Sequence, residues 1–210
     1  MPRIDDYIKA VEIGKMAIKG KNPRQIAEKR GVLCNQNSDG KVELTFDFLN
    51  RKIAVTWPEL DFSIKETGDK IPVQQQNLLL HYLIESDTSH VENKWIAYQE
   101  VPDGKFYLDA FNKRAKIPML QAFGSRPELL VELATSVYGA RPLDHGDFSV
   151  VLNALPLVPV ALILWEGDDE FPPEGTLLFD RSISGMLSAE DIAWLAGMII
   201  YPLIGMAKNK

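Results

Sequence analysis

The sequence predicts an α+β fold: one domain with a mainly antiparallel sheet, helices packed on it, and a C-terminal helix in the core. Apolar residues make up 46 % of the 210 residues, enough for a core without disulfides or metals. Strand-like and helix-like segments come in blocks and not in strict alternation, which favours α+β over a doubly wound sheet. No internal repeat, low-complexity tract or Pro/Gly/Ser linker divides the chain, so residues 1–210 are expected to form a single domain.

The N-terminal segment predicts a pair of helices over residues 4–31. Apolar residues recur at helical spacing from Ile4, and Gly20 can take the left-handed conformation that ends a helix. Asn22 is a capping residue for the second helix, and Gly31 follows its end.

The remaining residues, 41–210, are expected to hold the sheet and the other helices. Apolar and polar residues alternate over 44–48 and again over 53–57, which predicts an antiparallel hairpin with one buried face. Its turn, placed at Asn50-Arg51, lacks the favoured Asn-Gly pair and leaves the register less secure.

Helical periodicity predicts three helices in the middle of the chain: one from Pro72 to about residue 85, a short one through Phe106 and Phe111, and one from Pro127 to Gly139. The stretch KWIAYQEV, between the first two, has strand character. Ser125 and Glu128 have the spacing of a capping box for the third helix.

Three apolar runs of strand length follow, FSVVLNAL, VPVALILW and GTLLFD, and they predict the central strands of the sheet. Ser188 and Asp191 form a capping box for the last helix, from Ala189 to about Ile200, with Pro202 kinking or ending it.

Composition argues against several classes of protein. The net charge of −6 works against a nucleic-acid partner. The apolar runs 150–165 and 192–204 are shorter than the roughly 18 to 20 residues of a spanning helix, so no membrane partner is expected. The N-terminus lacks the pattern of a signal peptide, and the single cysteine, Cys34, fits a reducing compartment, so a cytoplasmic location is expected.

Four carboxylates, Glu166, Asp168, Asp169 and Glu170, stand between two of the apolar runs. A solvated bend is the first interpretation of this acidic loop, with Asp169 or Glu170 accepting backbone hydrogen bonds, Phe171 packing back on the core and Arg181 pairing with the carboxylates. A ligand- or partner-binding loop is the second. A Mg²⁺ or Ca²⁺ site is the third, and it requires Asp168 and Glu170 to converge with Asp180.

Other side chains offer weaker signals. His145 stands between Asp144 and Asp147, which could orient its ring for base catalysis or metal binding, and His81 lies on a predicted helix. For each of them, an ordinary structural role is the favoured interpretation. Tyr107 and Arg114 belong to a stretch that interleaves aromatic and basic residues, a mixture that can bind an anionic ligand but is more often an amphipathic helix. Cys34 has no local base that would make it a nucleophile.

The segments LPLVPVALILWEGDDEFPPEGTLLFDRS, LLLHYL and KWIAYQEVPDGKFYLDAFNKRA, with the Gly146-Asp147 pair, resemble domain-of-unknown-function family 3786 of anaerobic bacteria and archaea. The resemblance covers nearly the whole chain and supplies no catalytic residues. It implies a link to cofactor or redox metabolism, because some relatives carry a cysteine-rich iron–sulfur segment. With only Cys34, no such cluster is expected in this chain.

Three functions are therefore compared. The first is a non-catalytic cytoplasmic binding or accessory protein for an unknown small molecule, with Asp168, Glu170, Asp180, Arg181, His81, Tyr107, Arg114 and His145 as the candidate ligand-binding residues. The second is a carboxylate- or metal-dependent enzyme acting on an anionic small molecule. The third is a scaffold that docks a protein partner through the acidic loop.

Overall fold

A computed structural model of the chain describes residues 4–36, 40–84 and 90–208. They form two compact units. The first takes its residues from 1–90, 155–157 and 185–187, and the second from 91–154, 158–184 and 188–210. Both combine helices with an antiparallel sheet, which confirms the α+β class. The single domain expected for residues 1–210 stays a prediction.

The first unit contains the predicted pair of helices, α1 (Ile4–Ile18) and α2 (Pro23–Arg30), and a third helix, α3 (Val73–Ile84). Asn22 caps α2 as expected, because its Oδ1 accepts a hydrogen bond of 2.9 Å from the backbone N–H of Arg24. Gly31 ends α2 in the left-handed conformation, with φ of 63°. The predicted end of α3 near residue 85 lies outside the described residues.

The sheet of the first unit has four strands in chain order, β1 (Leu33–Gln36), β2 (Val42–Phe48), β3 (Arg51–Trp57) and β4 (Phe62–Ile64). The hairpin β2–β3 was predicted, whereas β1 and β4 are too short to give a pattern. Its turn lies one residue earlier than expected, at Leu49 and Asn50, whose φ angles of 50° and 60° are both left-handed. Two-residue hairpin turns of this hand match the twist of the strands, even without a glycine.

The sheet of the second unit runs in the order β5-β9-β8-β7-β6. The strands are β5 (Trp95–Ala97), β6 (Arg141–Pro142), β7 (Phe148–Leu155), β8 (Val158–Trp165) and β9 (Glu174–Asp180). The three predicted apolar runs are therefore its three inner strands. The predicted strand KWIAYQEV is shorter than expected, because a 3₁₀ turn over Tyr98–Glu100 replaces its second half.

The helices of the second unit are α4 (Gly104–Phe111), α5 (Ile117–Phe123), α6 (Pro127–Tyr138) and α7 (Ala189–Ala207). A π-helical segment, Asn112–Lys116, joins α4 to α5. The capping box predicted at Ser125 is wrong: Arg126 is the N-cap of α6 and no side chain caps it. The capping box of α7 is confirmed, with a bond of 3.2 Å from the backbone N–H of Asp191 to Oγ of Ser188.

Helix α7 is longer than predicted. Pro202 does not end it near Ile200, and the helix continues to Ala207. Among the described residues, α7 is the single helix whose length of 19 residues and mean hydropathy of 1.3 would suffice to cross a membrane. However, 56 % of that segment is buried inside the protein, as expected for the core helix of a globular domain.

Candidate functional site

The acidic loop is a self-contained turn after β8. Asp168 is exposed, and its Oδ1 accepts hydrogen bonds from the backbone N–H groups of Glu170, at 2.8 Å, and Phe171, at 2.7 Å. The N–H of Asp168 donates in turn to the carbonyl of Phe171, at 2.9 Å. These backbone donors hold the pKa of Asp168 below its usual value, with Glu170 giving the largest effect.

Two details of the acidic loop differ from expectation, and a third agrees with a tight turn at Gly167. The carboxylate that accepts the backbone bonds is Asp168, not Asp169 or Glu170. Phe171 does not fold back on the core, since it is 67 % exposed. Position 167 has no room for a side chain, because a Cβ on Gly167 would lie 2.7 Å from Pro173. The loop is thus shaped by its own backbone.

The predicted convergence of Asp168 and Glu170 with Asp180 is wrong. The loop follows the end of the sheet where Trp165 pairs with Glu174, whereas Asp180 is the last residue of β9, at the other end. Six residues of strand span about 20 Å. In the ranges that the structure describes, no group of three or more His, Cys, Asp or Glu side chains is placed to hold a metal ion.

Asp180 has a structural partner set of its own. Although only 2 % exposed, it accepts backbone hydrogen bonds from Glu92 (2.9 Å), Lys94 (3.0 Å) and Ser182 (3.0 Å) and one from the Ser182 hydroxyl (2.5 Å). Burial raises the pKa of Asp180, but these hydrogen bonds outweigh burial and the pKa lies below its ordinary value. The carboxylate therefore holds the chain before β5 against the end of β9.

Arg181 belongs to the same end of β9 and does not reach the acidic loop. Its Nε lies 4.0 Å from a carboxylate oxygen of Glu92, and its backbone N–H donates to the carbonyl of Lys94 at 2.8 Å. The side chain is more than half exposed. Its predicted pairing with the loop carboxylates is therefore wrong.

Gly146 and Asp147 are part of the family resemblance. They connect the segment before β7 to the end of β8. Oδ2 of Asp147 accepts a bond of 2.9 Å from the backbone N–H of Glu166, and the N–H of Asp147 donates to the carbonyl of Leu164 at 3.1 Å. A Cβ on Gly146, whose φ is 61°, would lie 2.8 Å from Ile163. His145 is exposed beside them, with its backbone N–H donating to Ser149.

His81 and Cys34 lie in the first unit, and Tyr107 and Arg114 lie in the second. His81 is half-buried on α3, and Cys34 is half-buried on β1. The predicted ligand-binding role of His81 stays a prediction.

Arg114 provides the most specific chemistry among the predicted residues. It belongs to the π-helical segment, and its guanidinium carbon lies 4.3 Å from the centroid of the Trp194 ring on α7. Such stacking is a cation–π interaction. Nη1 of Arg114 is buried and makes no hydrogen bond within the described residues. We refer to Arg114, Trp194, Tyr98 and Tyr107 as the Arg114 cluster.

Two tyrosines complete the cluster. Tyr98 stacks on Phe111 at 4.2 Å, and its hydroxyl donates a bond of 2.7 Å to the carbonyl of Ala189. Burial raises the pKa of Tyr98 to about 12, Arg114 opposes this shift, and Tyr107 and Glu190 add to it. The two predicted residues belong to segments that both contact α7, Tyr107 to α4 and Arg114 to the π-helical segment.

Sequence reasoning missed Trp194 and Tyr98. Trp194, Gly197 and Tyr201 are spaced three and four residues apart, which places them along one face of α7. A Cβ on Gly197 would make an ordinary contact of 3.4 Å with the Arg114 carbonyl, which places this face of α7 against the π-helical segment. The sequence does contain an aromatic-glycine-aromatic pattern on this helix, which indicates a packed face. The pattern does not show that Arg114 lies against that face.

The sequence model of a family described as "Domain of unknown function (DUF3786)" matches residues 22–201. Searches of curated proteins and of solved structures found no match. The family match spans far more than half of the chain, and the protein therefore belongs to this family.

Proposed function

We propose that this family member is a non-catalytic binding protein for a small molecule that bears a carboxylate or phosphate group, with the Arg114 cluster as its binding site. The observation that carries the proposal is the buried Nη1 of Arg114, which makes no hydrogen bond within the described residues while the guanidinium stacks on Trp194.

A buried donor without an acceptor is costly, and an arginine cannot lose its charge to relieve that cost. An anionic oxygen would satisfy the guanidinium, and carboxylates and phosphates match its fork of N–H groups. Stacking on Trp194 fixes the plane of the guanidinium before the ligand arrives, which reduces the entropy lost on binding.

Aromatic surface beside the cluster suits the rest of such a ligand. Phe106 is 83 % exposed and contacts the Tyr107 ring edge-on, with 5.0 Å between the ring centroids. Tyr201, on the same face of α7 as Trp194, is 55 % exposed. Exposed aromatic side chains near a fixed arginine provide packing for the apolar part of a small molecule.

The titration of Tyr98 supports binding over catalysis. Its pKa of about 12 is far from neutral, and its hydroxyl is engaged by the carbonyl of Ala189. A general acid or base works best when its pKa lies near the working pH. An arginine side chain in a protein offers only hydrogen-bond donors and stays charged. These groups hold an anion more readily than they transfer a proton.

Native mass spectrometry of the purified protein tests the proposal, together with a titration that follows tryptophan fluorescence. The variant Arg114→Gln removes the charge, and Arg181→Gln is a matched control, because Arg181 is an exposed arginine of the same unit. We expect citrate or phosphate to change the fluorescence of wild type and the control, and any co-purified anion to be absent from Arg114→Gln. A response that is equal in all three proteins, or missing in all three, would overturn the proposal.

A second candidate, docking of a protein partner through the acidic loop, is favoured by Phe171. This ring is 67 % exposed beside the exposed carboxylates of Asp168, Asp169 and Glu170. An exposed aromatic ring among acidic groups suits a partner with a basic rim and an apolar centre. The discriminating experiment is cross-linking in extracts with wild type and Phe171→Ser. A cross-linked partner that both proteins recover equally would rule out the loop as the docking site.

We extend the first proposal to a cytoplasmic accessory role in the cofactor or redox metabolism of an anaerobe. The family resemblance and the single cysteine support this extension. Its test is the chemical identity of the molecule that co-purifies: a redox cofactor or a precursor of one is expected, and an unrelated metabolite would contradict it.

A further inference from the structure

A cavity of about 410 Å³ opens on the first unit, beside α2 and the last residues of α3. Three of its lining side chains are cationic, those of Lys21, Lys29 and Arg30, and Gln25 adds an amide. Leu83 and Ile84 supply an apolar part of the wall. Among the described residues, none that lines the cavity carries a carboxylate.

We propose that this cavity is a second binding site, for a small molecule with two or three negative charges carried by phosphate or carboxylate groups. Neither the Arg114 cluster nor the acidic loop contributes to it, since every lining residue lies in the first unit. The inference therefore goes beyond the proposed function and does not depend on it.

Arg30 gives the site a fixed charge. The residue is 1 % exposed, and its guanidinium carbon lies 5.1 Å from the centroid of the Tyr82 ring. The Tyr82 hydroxyl donates a hydrogen bond of 2.7 Å to the backbone carbonyl of Arg30. This bond fixes the Tyr82 ring relative to the Arg30 backbone. A charge that is already desolvated and fixed interacts more strongly with an anion than a mobile surface charge does.

Lys21 lies between two helices: its backbone N–H donates to the carbonyl of Ile18, the last residue of α1, at 3.0 Å, so its charge favours the dipole of α1 but not that of α2. Lys29 and Arg30 lie in the last turn of α2, where a cation favours the helix dipole. Lys21 precedes the N-cap Asn22, at the opposite end of the same helix, where a cation is unfavourable. Cations from both ends of α2 thus line one cavity. An anion in the cavity offsets their mutual repulsion, whereas the overall charge of −6 gives no general reason for a basic surface here.

The size of the cavity limits the ligand. A volume of about 410 Å³ is near the lower end of the roughly 300–1,000 Å³ typical of small-molecule sites. Inorganic phosphate, pyrophosphate and citrate fall within this class and differ in charge and shape. Their relative affinities therefore separate a phosphate site from a carboxylate site.

Calorimetric titration of the full chain with inorganic phosphate, pyrophosphate and citrate tests the inference. The variant is Lys21→Gln/Lys29→Gln, and the control Lys9→Gln/Lys105→Gln removes the same charge from exposed lysines that do not line the cavity. We expect the variant to lower the affinity for the best probe by about tenfold or more, the value of one lost charge-assisted contact of about 1.4 kcal/mol. The control should match wild type.

Two outcomes would overturn the inference: no heat with any probe, or equal affinity in the variant and the control. Arg114→Gln distinguishes this site from the proposed function. If the same anion binds only at the Arg114 cluster, Arg114→Gln abolishes the heat and the lysine variant does not, and the cavity is not a site. If Arg114→Gln retains the heat and the lysine variant loses it, the cavity binds independently of the Arg114 cluster.

Discussion

The backbone N–H of Lys94 donates a hydrogen bond of 3.0 Å to Oδ2 of Asp180, which lies 86 residues later in the chain. Trp95, the next residue after Lys94, pairs with Asp180 in the ladder of β5 and β9. The carboxylate therefore fixes the point at which the edge strand β5 joins the sheet. This makes Asp180 a structural residue of the second unit, although the sequence suggested it as a ligand.

Asp180→Asn should lower the free energy of unfolding by about 2 kcal/mol. Asparagine places an NH₂ donor where one oxygen of Asp180 accepts a backbone N–H, so two donors would face each other. Hydrogen bonds to a charged group contribute about 1.5–3 kcal/mol each. Chemical denaturation measures the loss. Asp169→Asn, in the exposed loop, is the control and should stay within about 0.5 kcal/mol of wild type. Equal stability of the two variants would contradict the role of Asp180.

The same carboxylate predicts a dependence of stability on pH. Because the pKa of Asp180 is lower in the folded protein, its contribution is present above the unfolded pKa of about 4 and is lost as pH falls through the folded pKa. Wild type should therefore lose stability below about pH 4, and Asp180→Asn should lose less over that interval. Thermal unfolding at a series of pH values measures both slopes. Parallel curves would show that Asp180 does not titrate in this way.

Ser188 and Ser125 form a matched pair for the capping predictions. The Ser188 hydroxyl donates to Oδ2 of Asp191 at 2.6 Å and accepts from the Asp191 backbone, whereas Ser125 precedes the N-cap of α6 and is exposed. Ser188→Ala should cost about 1 kcal/mol in the free energy of unfolding, and Ser125→Ala should cost almost nothing. Denaturant midpoints compare the two. A cost at Ser125 as large as that at Ser188 would contradict the observed capping.

These two serines show what local patterns can predict. Capping boxes, alternating strands and the left-handed glycine after α2 depend on neighbouring residues, so most elements were placed correctly. Ser125 failed because Pro127 begins the helix and makes Arg126 its N-cap, although Ser125 and Glu128 have the right spacing. The strands β1 and β4 were missed because three or four residues give too short a period to detect.

The candidate site was harder to predict because it depends on contacts between distant residues. Arg114 and Tyr107 were named from composition, but Trp194 lies 80 positions after Arg114 and no local pattern connects them. The charges of the acidic loop are adjacent in sequence, so a local pattern is enough to indicate them as a candidate site. The convergence of Asp180 with the loop requires both carboxylate groups to lie at one end of the sheet, and the register of β8 and β9 places them at opposite ends.

Gly146→Ala and Gly205→Ala should change stability in opposite directions. Gly146 has a φ of 61°, and a Cβ there would lie 2.8 Å from Ile163, so alanine should cost about 2 kcal/mol. Gly205 lies within α7, and a Cβ there would meet nothing within 4 Å, so alanine should add about 0.5–1 kcal/mol. Thermal unfolding gives both values. A gain at Gly146 would show that this turn does not need a left-handed glycine.

The carboxylates of the acidic loop should not bind a divalent cation specifically. Oδ1 of Asp168 is already engaged by two backbone N–H groups, and Asp180 lies about 20 Å away along the strand. A Mg²⁺ or Ca²⁺ ion requires several oxygens converging on one point. Calorimetric titration of wild type with Mg²⁺, Mn²⁺ and Ca²⁺ should therefore give no saturable heat. A saturable heat that is lost in Asp168→Asn but kept in Asp169→Asn would show that the loop gathers a cation after all, since the first substitution removes a charge while keeping the Oδ1 acceptor that shapes the turn.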